Sequence, residues 1–158
     1  MAIKRVAVIG ASGYGGLQSL RLLQSHPEFE ISLLGGERSA GKRWSELCPF
    51  LSLPDDPVVE SPDPSRIAEC ADVALLSLPN GLASGMVPEL LERGVRVVDL
   101  SADYRYRSLD QWARVYAQEA LSCKRRDADL CLEAVYGLPE WNASAIATAR
   151  LVAAPGCF

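Results

Sequence analysis

Short runs of β-branched and aliphatic residues alternate along the chain with longer stretches whose apolar positions recur every three or four residues. The opening run, "KRVAVIGASG", reads as a buried strand closed by a glycine turn. "GLQSLRLLQSH" then sets Leu17, Leu20, Leu22 and Leu23 on one helical face, and Pro27 stops it. "FEISLLGG" predicts a second strand, and the proline-rich, weakly periodic stretch 41–66 predicts loops with one short helix. "DVALLSLPNG" is a third strand with a turn at its end, and "ASGMVPELLERG" a helix with Pro88 in its first turn and Gly94 ending it. "VRVVDLSAD" is a fourth strand, "SLDQWARVYAQEAL" a helix, and the residues around 122–130 a polar loop. "YGLPEWNASAIATA" holds a helix starting near Pro139, with Glu140 favourable in its first turn, and "RLVAA" is a last strand.

This alternation predicts an α/β fold: a Rossmann-like, doubly wound, mainly parallel sheet forming a single dinucleotide-binding domain over residues 1–158. In such sheets ligands collect beyond the carboxyl ends of the strands, and every unusual motif of this chain falls at such an end. The hydrophobic share of 49% supports a real core, and no internal repeat or low-complexity segment interrupts it.

Charge narrows the partners. A net charge of −4 argues against nucleic acid or an anionic membrane surface, and the triplet Lys124, Arg125, Arg126 reads as a solvated loop. No stretch has the length of a secretory core or a membrane span, so the expected location is the cytoplasm. The five cysteines show no C-x-x-C pair, which predicts free thiols in a reducing compartment and no metal site. Trp44, Trp112 and Trp141 are expected to serve packing.

Chemistry enters with "VIGASGYGG" between the first strand and first helix. Gly10, Gly13 and Gly16 suit a tight turn that lets backbone amides approach a diphosphate at a helix N-terminus; a plain tight turn is the alternative. Ser12, Tyr14 and Gly15 are assigned to the same cofactor cradle, and Ser77 and Pro79 at the end of the third strand are further cofactor-binding candidates. After the second strand, "GGERSAGK" offers Arg38, Ser39 and Lys42 to a ribose 2′-phosphate, against Glu37, so NADP is favoured over NAD. Cys157, behind Pro155 and Gly156, is either a reactive thiol or a small buried hydrophobe. "DLSADYR" packs Asp99, Ser101, Asp103 and Arg105 at a strand end, as a substrate contact or as an Asx-type turn fixed by an Asp–Arg pair.

Taken together, "GASGYGG", "SAGK", "LSLPNG", "VVDLSADYR", "VYGLPE" and "PGCF" make the chain resemble the N-terminal part of the N-acetyl-γ-glutamyl-phosphate reductases of arginine biosynthesis. Gly15, Asn80 and Ala154 depart from residues common in that family. The resemblance implies NADPH-dependent reduction of a small-molecule acyl phosphate, N-acetyl-glutamyl 5-phosphate, to its semialdehyde. It makes Cys157 the nucleophile that forms a thioester, with its thiol near the nicotinamide, and it gives Ser101 and Arg105 to substrate or phosphate. It also implies a second substrate and dimerisation domain after the cysteine, oligomerisation mainly through that domain, and a monomeric, inactive chain without it. His26, the single histidine, lies in "QSHPEF" at the wrong end of the sheet for acid–base work. Aspartate-semialdehyde dehydrogenase and the lysine-pathway aminoadipyl-phosphate reductase share the chemistry, and a non-catalytic nucleotide-binding module is a rival of another class.

Overall fold

The structure is a computed structural model that describes residues 3–116, 125 and 127–156. The chain runs β1 (Lys4–Ile9), α1 (Tyr14–Leu23), β2 (Phe29–Gly35), α2 (Trp44–Leu47), α3 (Pro64–Cys70), β3 (Val73–Leu76) and α4 (Val87–Glu92). It continues through β4 (Arg96–Asp99), α5 (Leu109–Tyr116), α6 (Ala128–Glu133), β5 (Val135–Tyr136), α7 (Pro139–Thr148) and β6 (Leu151–Ala153). Six strands form one sheet in the order β2-β1-β3-β4-β6-β5, and every pairing is parallel. The chain turns from β1 to β2 on one side and then crosses to β3 on the other. The strand order reverses between β1 and β3, the place where sheets of this kind take ligands at their carboxyl ends.

Two cores hold the layers, and the period-2 alternation of the strands sorts residues between them. Ala7 and Ile9 of β1 join Ala74, Leu76, Val97 and Leu151 against Ile67 of α3 and Val87 and Leu90 of α4. Val6 and Val8 join Leu34 against Leu20 of α1, Trp44 and Val59 on the opposite face. Burying each such Val, Leu or Ile side chain contributes about 1.5–3 kcal/mol, which is why parallel strands read as unbroken apolar runs. Trp44 and Trp112 are fully buried, and Trp44 Nε1 donates to Leu51 O at 2.7 Å.

Several expectations change. The stretch 41–66 holds the expected short helix, α2, and a second helix, α3, starts at its end: Asp63 caps it by accepting from Ser65 N at 2.9 Å, and Pro64 sits in its first turn. Residues 128–133 are helical rather than loop, and a two-residue strand, Val135–Tyr136, completes the sheet edge. Trp141 stands 83% exposed on α7, a helix with no buried residue, so it does not pack. Arg125 is buried rather than solvated. The expected helix beyond Tyr116 and the calls on Lys124, Arg126 and Cys157 lie outside the described residues. His26 sits before β2, its Nδ1 accepting from Glu28 N at 3.2 Å and its ring 4.7 Å from Phe29.

Candidate functional site

The glycine turn after β1 is built by close approach. Gly10 adopts φ +78°, and a Cβ there would overlap the carbonyl of Ser77 at the end of β3. A Cβ on Gly16 would overlap Gly10 O and Ala11, and one on Gly15 would stand 2.5 Å from Ser77 Oγ. Only glycine lets the start of α1, the turn and β3 lie this close. The turn is closed by Gly10 N donating to Gly35 O at 2.8 Å and Gly13 N donating to Gly10 O at 3.0 Å.

Gly13 caps α1 with no side-chain hydrogen bond, and no acid occupies the first turn. The first i→i−4 bond is Leu17 N to Gly13 O at 2.8 Å, so the amides of Tyr14, Gly15 and Gly16 open the helix ahead of that ladder. Ser12 and Tyr14 are exposed beside them. A helix N-terminus without acid or cap, at a strand reversal, fits an anionic diphosphate in charge and in shape.

Beyond β2 the chain makes a tight turn over Glu37–Ser39. Glu37 accepts from Ser61 Oγ at 3.1 Å, while Arg38 and Lys42 are exposed. Ser39 is buried, and its hydroxyl donates to Gly36 O at 3.4 Å. This turn therefore presents Glu37, Arg38 and Lys42 outward and keeps the Ser39 hydroxyl inside.

The ends of β3, β4 and β6 are laced together. Ser77 N donates to Ile9 O at 2.8 Å, and Pro79 and Asn80 are exposed. Asn80 Oδ1 accepts from Ala102 N at 3.0 Å; Asp103 accepts from Gly81 N at 2.6 Å and Ser84 N at 3.1 Å. Asp99 is fully buried, and Ser101 donates to it from both its amide (2.9 Å) and hydroxyl (2.8 Å). Burial pushes the Asp99 carboxyl up to about 6, with the two Ser101 bonds pulling the other way. Ser101 Oγ also accepts from Asp103 N at 3.1 Å. Arg105 faces carbonyls rather than a carboxylate: Nε donates to Ala154 O at 2.7 Å, Nη2 to Leu100 O at 2.8 Å, and Nη1 to Tyr116 Oη at 3.2 Å.

Beneath these loops lies a centre that the sequence did not announce. Arg125 forks onto Asp127 at 2.9 and 2.7 Å, donates to Asp103 O at 2.8 Å, and lies over the rings of Tyr104 and Trp112. Tyr104 Oη donates to Asp127 at 2.6 Å, and the tyrosine hydroxyl is pushed far upward, first by burial and then by that bond. Burial likewise lifts the Cys131 thiol to about 11, which keeps it protonated and inert. Among the described residues no group of three or more His, Cys, Asp or Glu is placed to hold a metal.

Sequence comparison agrees with this geometry. The chain is 73% identical over 154 residues to an N-acetyl-gamma-glutamyl-phosphate reductase of Synechococcus sp. (strain CC9605), and 98% of it is matched. It is 68% identical to one from Prochlorococcus marinus (strain MIT 9313) over the same share. The chain spans 43% of the length of each. Among solved structures, an aspartate semialdehyde dehydrogenase with NADP from Candida albicans superposes with TM-score 0.58 and 33% identity, over 66% of this chain and 31% of that one. Aspartate semialdehyde dehydrogenase II from Vibrio cholerae shares the fold at TM-score 0.66 and 23% identity, over 98% of this chain and 38% of that one. Residues 5–149 match the family described as "Semialdehyde dehydrogenase, NAD binding domain"; with the parallel sheet and the glycine turn at its reversal, the chain belongs to that family.

Proposed function

We propose that this chain is the cofactor-binding part of an NADP-dependent N-acetyl-glutamyl 5-phosphate reductase. The observation that carries it is the turn at the β1/β3 reversal, where Gly10 meets Ser77 and the bare N-terminus of α1 points outward. The names of the relatives supply the acyl phosphate, since the fold alone would serve many substrates. In this reading Gly10, Ser12, Gly13, Tyr14, Gly15 and Gly16 hold the diphosphate, flanked by Ser77 and Pro79. Arg38 faces the 2′-phosphate, while Ser39 holds the turn from inside. Glu37, which alone would favour an unphosphorylated ribose, accepts from Ser61 Oγ with one of its carboxylate oxygens.

The chemistry falls to Cys157. Its thiolate attacks the acyl carbon, the carbon–oxygen bond to phosphate breaks, and inorganic phosphate leaves with that electron pair. Bound NADPH would supply hydride for reduction of the resulting thioester to the aldehyde, with the sulfur of Cys157 released as thiolate. Ser101 and Arg105 are the candidates for substrate contact; Ser101 donates to Asp99 and Arg105 Nε to Ala154 O at the strand ends. A second domain after the cysteine completes the substrate site and carries the oligomeric contacts. The enzyme works in the cytoplasm, on a small molecule and without nucleic acid; no helix among the described residues is long and apolar enough to cross a membrane.

The test is calorimetric titration of the chain with NADP⁺ and NAD⁺, joined to an assay of the full-length polypeptide on N-acetyl-glutamyl 5-phosphate. Saturable binding with preference for NADP⁺, and phosphate release that needs Cys157, are the expected results. Binding of neither nucleotide removes the cofactor assignment.

A further inference from the structure

The turn that follows β3 and the loop that follows β4 hold each other through two side chains. Asp103, fully buried in the loop, accepts from Gly81 N at 2.6 Å with one carboxylate oxygen and from Ser84 N at 3.1 Å with the other. Asn80, exposed in the turn, returns the contact: its Oδ1 accepts from Ala102 N at 3.0 Å. The aspartate is itself fixed, its amide donating to Ser101 Oγ at 3.1 Å and its carbonyl accepting from Arg125 Nη1 at 2.8 Å. Inside the turn, Leu82 N donates to Pro79 O and Gly85 N to Leu82 O, each at 3.2 Å, longer than the contact from Gly81 N to Asp103. A charged acceptor also makes the stronger bond, so the turn is held more firmly from outside than from within.

The same turn grows out of Ser77, which Gly10 and Gly15 approach so closely that neither could carry a Cβ. A dinucleotide lies across the reversal of such a sheet, its two halves on opposite sides of it. Arg38, exposed after β2, marks the side of the adenosine ribose, which leaves the turn after β3 on the side of the other half.

We propose that Asp103 is a positioning residue for the nicotinamide half of the cofactor: through the amides of Gly81 and Ser84 it fixes the turn that this half meets, without touching the ligand. The inference rests on the reading of this chain as an NADP-binding domain. Both carboxylate oxygens face backbone amides, so the aspartate acts on the shape of the turn. Asparagine has nearly the same volume but sets an N–H₂ donor against one of those amide donors, so Asp103→Asn breaks one half of the clasp without opening a cavity. Asn80→Ala removes the return bond from a residue that is already exposed.

The experiment is calorimetric titration of the parent chain and of both variants with NADP⁺ and with 2′,5′-ADP, which carries the adenosine and its 2′-phosphate but no nicotinamide. Thermal melting reports folding of all three proteins. The expected result is NADP⁺ binding about tenfold weaker in Asp103→Asn and weakened to a smaller degree in Asn80→Ala, with 2′,5′-ADP within about twofold of the parent in both. An equal loss for the two nucleotides in folded Asp103→Asn marks a general loosening of the domain and overturns the inference, as does unchanged NADP⁺ affinity. Should Asp103→Asn fail to melt cooperatively, Asn80→Ala decides: NADP⁺ affinity equal to the parent's overturns the inference, and a loss confined to NADP⁺ upholds it. A parent that binds 2′,5′-ADP as tightly as NADP⁺ overturns the inference and leaves the cofactor reading standing. A parent that binds neither nucleotide ends both.

Discussion

Gly10 and Ser77 approach so closely that a single Cβ on the glycine would occupy the space of the serine carbonyl oxygen. Two separate strands are thereby locked at the point where the sheet reverses direction. Gly10→Ala meets both a backbone in the left-handed region (φ +78°) and that collision. The left-handed backbone alone costs about 1–2 kcal/mol. We expect a lowered Tm and loss of NADP⁺ binding by calorimetry. Gly94→Ala provides the contrast, since Gly94 has φ +82° but nothing within 4 Å of its missing Cβ. It should lose stability while keeping the nucleotide.

Arg125 and Asp127 form an ion pair whose side chains are 4% and 6% exposed. Removing one partner leaves the other charge buried, which costs about 3–5 kcal/mol. Arg125→Met should therefore unfold at markedly lower urea concentration than the parent. Replacing both residues, Arg125→Met with Asp127→Leu, should recover a large part of the loss, although the Tyr104 hydroxyl then lacks its acceptor. A double variant no more stable than the single one would show that the pair is not what holds the region.

Asp99 carries a pH signature. Its carboxyl titrates at about 6 in the folded chain, above the ordinary value near 3.8, so the folded state holds the proton more tightly than the unfolded state. The stabilisation is fully present below about 4 and is lost as pH rises through about 6, amounting to at most about 3 kcal/mol. Asp127, held low by Arg125 and Tyr104 despite its burial, contributes in the opposite sense, losing stability only at acid pH. The difference in Tm between the parent and Asp99→Asn, followed from pH 4 to 7, isolates the Asp99 share. A difference that does not change with pH would contradict it.

Arg38 and Glu37 are both exposed after β2, and Glu37 accepts from Ser61 Oγ. Arg38→Ala should weaken NADP⁺ by about tenfold, or about 1.4 kcal/mol, and leave NAD⁺ nearly unchanged. Glu37→Gln should shift the preference far less. Calorimetric titration of both nucleotides against each variant gives the ratio.

Much of this architecture was visible in the amino-acid order, for reasons that the cores make plain. The β1 run "VAVI" feeds both faces of the sheet, so it had to be apolar at every position, and the glycine turn behind it had to be free of side chains. The helix over 64–70 was announced by Asp63 and Pro64, a cap and a first-turn proline, yet its brevity left no periodicity to read. Val135–Tyr136 is too short to show an alternation of its own. Arg125 could not be read at all: a cation between two others looks like solvent-exposed loop until folding brings Tyr104, Trp112 and Asp127 around it. Trp141 shows the converse, since a large aromatic in a mixed helix gives no hint that the helix buries nothing. Within the candidate site, the cradle residues were legible as a motif. The roles of Asp99, Asn80 and Asp103 as clasps between strand ends depend on contacts about twenty residues apart or more in sequence, which no local pattern encodes.

The position of β6 between β4 and β5 has a consequence for biogenesis. Residues 135–136 pair with no other strand among the described residues, so they must wait for a partner synthesised after them. While the ribosome has yet to deliver residues 151–153, β4 ends the growing sheet with its outer backbone groups open to whatever strand arrives. Completion of that flank thus waits for residues 151–153, and a nascent polypeptide stalled before residue 151 would be exposed to mispairing along β4.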